Sequence, residues 1–278
     1  MERDVMKKLT IEITNRCSLK CPQCSTEEGN DGKVFVSMKS VAESLERFPD
    51  FKAVRISGGE PFMHPEIVGL AKLVHEQNRR VQILSCGVWY HKPIPKSLML
   101  EISPYADEII FSMQGYYSQH DSIVTSDKDW LSHPPYWDML CDTVDNTILA
   151  GIPISFQTVV MKSNYDYLRD IALCVSGISR ASDQGVDWRI LRFVKQGRGA
   201  IHPDQALDAE QMQGLAKRIK ELSNEFGISI TCSNSFEQKR CGCGSEKAVV
   251  TYDGEIIPCS ALKHGSDAKG KFQCRNRI

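Results

Sequence analysis

The sequence carries almost no net charge, with 34 basic and 35 acidic side chains among 278 residues and a formal charge of −1. This balance excludes a protein that binds nucleic acid or an anionic membrane surface through bulk charge. No run approaches the roughly 18 apolar residues of a membrane span, and the chain opens on charged residues rather than on a signal segment. Low-complexity tracts are also absent, and the 41% hydrophobic content is typical of a globular protein. We expect a soluble, cytoplasmic protein without nucleic-acid or membrane partners.

Cysteine, by contrast, is abundant, with eleven residues in the chain. Without a route to an oxidising compartment, disulfides explain these thiols poorly and metal ligation explains them better. The odd number also leaves at least one thiol unpaired in any scheme made only of disulfides.

The first two thirds of the chain alternate short β-rich runs with helical patterns, which predicts βα units around a parallel sheet. Ser37 is placed to cap a helix whose apolar positions Val41, Leu45 and Phe48 recur at helical spacing. Strands are predicted at residues 9–14, 53–57, 81–85, 108–113, 154–160 and 188–194, and further helices at 66–77, 136–150 and 165–175. Six repeats favour an α/β fold, a partial (β/α)6 TIM-like barrel with its cleft at the carboxyl edge of the strands.

A domain boundary is predicted near residues 197–203, giving a barrel over residues 1–200 and a second unit over 201–278. In the second unit, Asp208 and Gln211 form a capping-box-like helix start, and that helix stops at Gly227. The remainder contains five cysteines and a hairpin-like turn at Asp253 and Gly254. A segment so short and rich in turns needs a staple, which a ligated metal would provide.

The strongest local signal is the group Cys17, Cys21 and Cys24 in the loop after the first strand. Three thiols so close in sequence converge if the chain wraps around a common centre, as it does around an iron–sulfur cluster. Three ligands on a cluster that usually takes four leave one iron open. A zinc knuckle and chance are the alternatives.

This loop resembles the C-x3-C-x2-C signature of the radical S-adenosylmethionine (SAM) enzymes, and the Ser-Gly-Gly-Glu-Pro run at 57–61 is similar to that family's GGEP motif. The resemblance implies that Cys17, Cys21 and Cys24 hold a [4Fe–4S] cluster, with SAM chelating the open iron. It implies reductive cleavage of SAM to a 5′-deoxyadenosyl radical that attacks an unactivated C–H bond. A looser likeness covers residues 84–87, where Cys86 replaces a usual asparagine.

The same resemblance places four residues beside the amino group of SAM: Gly58, Gly59, Glu60 and Pro61. Glycine suits that position because the missing Cβ atoms let the backbone approach a ligand closely. Glu60 would accept a hydrogen bond from the SAM ammonium; the alternative is a solvated carboxylate at a strand end.

Three other polar residues are candidates for contacts with SAM. Ser112 would bind the ribose, or it is a structural hydroxyl. Arg192 lies on a strand predicted to be buried, so it would pair with the SAM carboxylate or with an internal acid. Asn164 follows the fifth strand and matches a weaker tendency of the family. His120 and Asp121 lie in a polar loop that faces substrate or is structural, and no residue is identified as the final proton donor or acceptor.

The C-terminal cysteines resemble the auxiliary-cluster region of the SPASM and twitch subfamilies. That likeness implies one auxiliary [4Fe–4S] cluster in a small iron–sulfur domain, with Cys232, Cys241 and Cys259 as ligands. The fourth position belongs to Cys243, to Cys274 or to substrate, and a structural zinc site is the alternative. The remaining thiols are predicted to be buried packing residues, namely Cys86, Cys141 and Cys174.

Three functions are compatible with these features. The first is an oxidoreductase-type radical SAM enzyme that modifies a peptide or protein side chain. The second is a radical SAM enzyme that acts on a small metabolite. The third is a non-catalytic metal-binding protein, which the SAM-binding motif disfavours. Either enzyme would require an electron donor such as a flavodoxin or ferredoxin.

Overall fold

A computed structural model describes residues 6–26, 31–125, 135–182, 184–232 and 242–263 of the chain. Its strands are β1 Lys8–Glu12, β2 Ala53–Ser57, β3 Arg80–Ser85, β4 Val88–Trp89, β5 Lys92–Pro93, β6 Glu108–Ser112, β7 Ile154–Val160, β8 Asp187–Arg192, β9 Ser229–Cys232, β10 Lys247–Val250 and β11 Ile256–Ile257. Its α-helices are α1 Met38–Arg47, α2 Ile67–Glu76, α3 Lys96–Ile102, α4 Ser118–Thr125, α5 Tyr136–Leu149, α6 Lys162–Tyr165, α7 Leu168–Ala181 and α8 Ala209–Phe226.

The main sheet has nine strands in the order β11-β10-β1-β2-β3-β6-β7-β8-β9. Neighbouring strands pair in parallel except β10 and β11, which form an antiparallel hairpin. The six predicted strands correspond to β1, β2, β3, β6, β7 and β8, and the α/β barrel class is confirmed. Three strands beyond residue 200 extend this same sheet, since β9 adds to β8, β10 adds to β1 and β11 adds to β10. The division of the chain at residue 200 therefore stays a prediction.

The two faces of the sheet differ sharply in polarity. On one face, apolar side chains from every central strand join a single buried core against the helices, among them Leu9, Ile11, Val54, Ile56, Val81, Ile83, Ile109, Phe111, Ile154, Phe156, Trp188 and Ile190. Burying each such side chain contributes about 1.5–3 kcal/mol. Because side chains alternate along a strand, the residues between them face the barrel interior. That inner face is mostly polar and includes Lys8, Thr10, Glu12, Arg55, Ser57, Gln82, Glu108, Ser112, Ser155, Gln157 and Arg189.

Two helices begin as their sequences predict. The Ser37 side chain accepts a hydrogen bond from the backbone N–H of Ser40 at the start of α1. Asp208 and Gln211 form a reciprocal capping box at the start of α8, which ends at Gly227 in the left-handed conformation with φ of 64°. In the described ranges, no helix combines the length and apolar character needed to cross a bilayer.

Candidate active site

The cysteine loop follows β1 at the carboxyl edge of the sheet, and all three of its cysteine residues are partly buried. Backbone N–H groups donate to two of the sulfurs: Leu19 to Cys17 Sγ at 3.4 Å and Thr26 to Cys24 Sγ at 3.4 Å. Such hydrogen bonds stabilise thiolate ligands and tune the cluster they bind. Backbone donors of this kind are therefore in place for two of the three candidate ligands.

Cys21 lies within the electrostatic reach of both other thiols. Burial raises the Cys21 pKa well above its ordinary value, and the charges of Cys17 and Cys24 raise it further. Three thiolates so placed repel one another unless positive charge lies between them, so the donor set fits an iron–sulfur cluster. Across the described residues, no three Cys, His, Asp or Glu side chains converge on a single metal ion.

A later segment of the chain clamps this loop. Arg198 donates from its backbone N–H to the carbonyl oxygen of Cys24 and from Nε to that of Cys21, both at 3.0 Å. Gly197 has φ of +55°, and a Cβ atom there would lie 2.5 Å from the Cys24 oxygen. The sequence suggested only a domain boundary at these residues. The Gly-Arg-Gly run that follows β8 is the sequence feature that could have indicated a close contact with another loop.

The Gly-Gly-Glu segment is bound directly to the chain that leads into the cysteine loop. The N–H of Gly59 donates to the Thr14 oxygen at 2.7 Å, and the N–H of Glu60 donates to the Arg16 oxygen at 2.6 Å. Cβ atoms added at Gly58 and Gly59 would lie 2.3 Å from the Thr14 oxygen and 2.1 Å from the Arg16 oxygen. The chain itself approaches these glycines closely, so the two motifs form one unit, and the contact of the glycines with SAM stays a prediction.

Replacing Gly59 with alanine is expected to lower the free energy of unfolding by about 1–3 kcal/mol, because the new methyl group overlaps backbone atoms that have no room to move. The matched control is Gly177→Ala in α7, where nothing lies within 4 Å of an added Cβ atom. That variant should be neutral or up to about 1 kcal/mol more stable. Urea unfolding under anaerobic conditions measures both. Equal stability of the two variants would contradict the steric role of Gly59.

Glu60 is completely buried, so the alternative of a solvated carboxylate is wrong. Its oxygens accept hydrogen bonds from the N–H of Phe62 at 3.1 Å, the hydroxyl of Ser85 at 2.9 Å and the N–H of Cys86 at 2.6 Å. Burial raises the pKa of Glu60, while these donors oppose the shift. The carboxylate therefore joins the ends of β2 and β3, and its contact with SAM stays a prediction. Pro61 begins the short 3-10 helix that follows.

The three other candidate SAM residues lie in different environments. The Ser112 hydroxyl, on the inner face of β6, accepts a hydrogen bond from Gln157 at 3.3 Å. Asn164 is fully buried; its amide nitrogen donates to the oxygens of Gln114 and Val159, and its oxygen accepts from the N–H of Met161. These bonds serve the backbone. Roles of Ser112 and Asn164 in SAM binding stay predictions.

The expectation that Arg192 is buried is wrong. It is the exposed last residue of β8. Alternation along β8 places it on the face of Trp188 and Ile190, which pack toward the helices. The continuous β pattern in the sequence hid this change because Ile190, two positions before the end of the strand, is its last buried residue. Binding of the SAM carboxylate by Arg192 stays a prediction, without the support of burial.

His120 and Asp121 lie in α4 and are both buried. His120 Nδ1 accepts the N–H of Gln114 at 3.2 Å, and burial lowers its pKa to about 4. Asp121 accepts the N–H of Trp137 at 2.7 Å, near the start of α5. These contacts favour the structural alternative for both residues.

Two of the C-terminal cysteines lie side by side. Cys243 is buried at the turn before β10, and a hydrogen bond between the two thiols lowers the Cys259 pKa to about 6. Cys232 ends β9, at the opposite end of the strand order from β10 and β11. Cys241 and Cys274 lie outside the described residues. The structure therefore brings together Cys243 and Cys259, and the complete ligand set stays a prediction.

Cys86 has a position that the sequence did not reveal. Like Cys141 and Cys174, it packs against apolar side chains but is partly exposed, so the prediction that these three cysteines are buried is wrong. Its thiol also forms a hydrogen bond with Cys17, and this contact and burial raise its pKa well above the ordinary value. A fourth sulfur thus adjoins the cysteine loop. The sequence could not reveal this contact, because it forms only where the loops after β1 and β3 meet in the fold.

Comparison with known proteins agrees with these features. A model of the radical SAM superfamily matches residues 11–175. The chain is 27% identical over 259 residues to the antilisterial bacteriocin subtilosin biosynthesis protein AlbA of Bacillus subtilis, covering 90% of this chain and 54% of AlbA. It is 24% identical over 265 residues to PqqA peptide cyclase of Ruegeria pomeroyi, covering 92% and 68%.

Among solved structures, Streptococcus suis SuiB bound to its precursor peptide SuiA aligns with a TM-score of 0.70 at 18% identity, covering 92% of this chain and 60% of that one. At this identity the likeness shows the fold alone. The chain spans little more than half the length of AlbA and SuiB.

Proposed function

This chain belongs to the radical SAM superfamily, and on that premise we propose that it modifies an unactivated C–H bond on a peptide side chain. Membership of the family gives it a [4Fe–4S] cluster and SAM as cofactors, which together supply a 5′-deoxyadenosyl radical. The observation that carries most weight is the backbone link between the Gly-Gly-Glu segment and the chain that precedes Cys17. It joins the family's two motifs at the carboxyl edge of a polar barrel interior.

The chain's own residues have distinct parts in this chemistry. Cys17, Cys21 and Cys24 would hold the cluster, and Gly197 and Arg198 would fix the shape of their loop. Residues Gly58 to Pro61 would border SAM, with Glu60 bracing the loop after β3. The apolar core between the sheet and the helices excludes water from the outer face of the barrel strands. No described residue is assigned as a proton donor or acceptor.

An oxidation of the substrate would need an electron acceptor, because removing one hydrogen atom leaves a carbon radical. Cys243 and Cys259 support an auxiliary [4Fe–4S] cluster for that purpose, completed by other C-terminal cysteines. A flavodoxin or ferredoxin would supply the electron for SAM cleavage. Peptide substrates are supported by the names of the relatives, which include a bacteriocin biosynthesis protein and a peptide cyclase.

Protease treatment of a cell extract offers a direct test of the substrate class. A fraction that stimulates 5′-deoxyadenosine formation by the anaerobically reconstituted protein should lose its effect after digestion with proteinase K and heat inactivation of that protease. A mock-treated fraction is the control. Stimulation that survives digestion would overturn the peptide proposal and favour a small metabolite.

Iron analysis tests the auxiliary cluster. The reconstituted protein should contain about eight iron atoms per chain, and the double variant Cys243→Ala, Cys259→Ala should contain about four, if each cluster has four irons. Inorganic sulfide should fall in parallel. A wild-type value near four that does not change in the variant would exclude the auxiliary cluster, and zinc in place of iron would favour the structural alternative.

A further inference from the structure

Three basic residues lie together on the inner face of the barrel: Lys8 on β1, Arg55 on β2 and Arg189 on β8. We call them the inner cationic cluster. Burial lowers the pKa values of Lys8 and Arg55, and their charges also interact, since Arg55 and Arg189 both lower the pKa of Lys8 and Arg189 lowers that of Arg55. All three keep part of their surface accessible, with 22% of the Arg189 side chain exposed. A ligand inside the barrel could therefore reach them.

One carboxylate, Glu108, lies beside this cluster, and its hydrogen-bonding capacity is already used. Its Oε1 accepts from the hydroxyl of Ser155 at 2.5 Å and from Arg189 Nη2 at 2.9 Å. Its Oε2 accepts from Gln82 and lies 3.6 Å from Nη2 of Arg80. Burial raises the pKa of Glu108, but these contacts outweigh burial and lower it overall. Glu108 is thus charged and shared between two arginines.

The cluster retains donors that no described residue satisfies. Arg55 Nε and Arg189 Nη1 are buried without a hydrogen-bond partner. Burial lowers the pKa of Lys8 to about 7, and the neighbouring arginines add to this effect. The other acid on the inner face of β1, Glu12, is paired with Lys263 at 2.6 Å. Buried donors without an acceptor are costly, so these groups are suited to an anionic ligand.

We propose that Arg55 and Arg189, assisted by Lys8, form a subsite that binds a carboxylate of the substrate within the barrel. On a peptide, this group is an acidic side chain or the C-terminal carboxylate. Guanidinium groups suit it because their planar donors match the two oxygens of a carboxylate. This subsite depends on the proposal above that the substrate is a peptide. It would hold that peptide on the inner face of the barrel, which also carries Ser112, beneath the cysteine loop.

The subsite can be tested by binding without turnover, using the full reconstituted protein and calorimetry. The probes are N-acetylglutamate N-methylamide for an acidic side chain, N-acetylglycine for a C-terminal carboxylate, and N-acetylglutamine N-methylamide as the neutral isostere of the first. At least one carboxylate probe should bind about tenfold more tightly than the neutral probe. The stronger of the two identifies the source of the carboxylate. Equal binding of all three would overturn the subsite.

Arg55→Gln should abolish this preference for a carboxylate. Arg169→Gln, which removes an exposed arginine on α7 paired with Glu225, should retain it. Iron content and circular dichroism of the same preparations show whether each variant has folded. If Arg55→Gln does not fold, the comparison of probes on the wild-type protein still decides the outcome. Inorganic phosphate that binds more tightly than either carboxylate would overturn the assignment to a carboxylate.

Binding of these probes is independent of the protease test, so the two proposals fail separately. A carboxylate preference together with protease-resistant stimulation would retain the subsite and overturn the peptide substrate. Protease-sensitive stimulation without any carboxylate preference would retain the peptide substrate and overturn the subsite.

Discussion

Cys21→Ala is expected to reduce 5′-deoxyadenosine formation by at least about 100-fold, since removing even an outer partner of a metal ligand costs about 10- to 100-fold. Cys21 is the middle thiol of the loop, and its charge is coupled to both Cys17 and Cys24. Its loss should also remove about four iron atoms per chain, the content of one [4Fe–4S] cluster. Anaerobic assays with dithionite and SAM, followed by chromatography of the nucleoside, measure the first effect.

The matched controls are Cys141→Ala and Cys174→Ala. Both thiols lie within helices and pack against the apolar core, and burial raises their pKa values to about 12 and 11. These variants should retain their iron and their nucleoside formation. Iron loss in the controls equal to that in Cys21→Ala would show that the loop cysteine has no special role, and unchanged activity of Cys21→Ala would refute its assignment as a ligand.

Lys263→Met is expected to lower the free energy of unfolding by about 3–5 kcal/mol, because it leaves Glu12 buried without its partner. Both side chains of this pair are almost fully buried, with exposures of 4% and 6%, and their charged atoms lie 2.6 Å apart. The Lys263 ammonium also lies 4.7 Å from the centre of the Tyr252 ring. Anaerobic urea unfolding measures the change.

The double variant Lys263→Met, Glu12→Leu should recover much of this loss, because it removes both charges together. The exposed pair Arg169 and Glu225 provides the comparison, and Arg169→Met should cost less than about 1 kcal/mol. A Lys263 variant no less stable than the Arg169 variant would show that the buried pair contributes little to folding.

Much of the fold could be predicted because its signals are local. The alternation of β-rich and helical runs located the six central strands, and the side chains of Ser37 and Asp208 cap the helices that follow them. The addition of β9 and β10 to the barrel sheet could not be predicted from so few residues. β9 takes its position by pairing with β8, and β10 by pairing with β1. Because β1 and β10 are far apart in the sequence, local patterns do not reveal their pairing.

The candidate site shows the same division between local and distant information. The spacing of Cys17, Cys21 and Cys24 predicted that their thiols share one loop. The partners of Glu60 and the packing of Gly59 on Arg16 depend on loops from different βα units. Sequence patterns describe neighbours along the chain and not the loop that packs against them, which is why the contacts of the glycines with Thr14 and Arg16 could not be predicted.

The clamp between Arg198 and the cysteine loop has a consequence for how the protein is made. Cys21 leaves the ribosome 177 residues before Arg198, the residue whose backbone and side chain hold its loop. At about 5–20 residues per second, that interval lasts roughly 10–35 seconds. The thiols are thus translated well before the residue that completes the clamp on their loop. Iron delivery to this loop should therefore follow translation, and the nascent cysteines need a reducing environment until then.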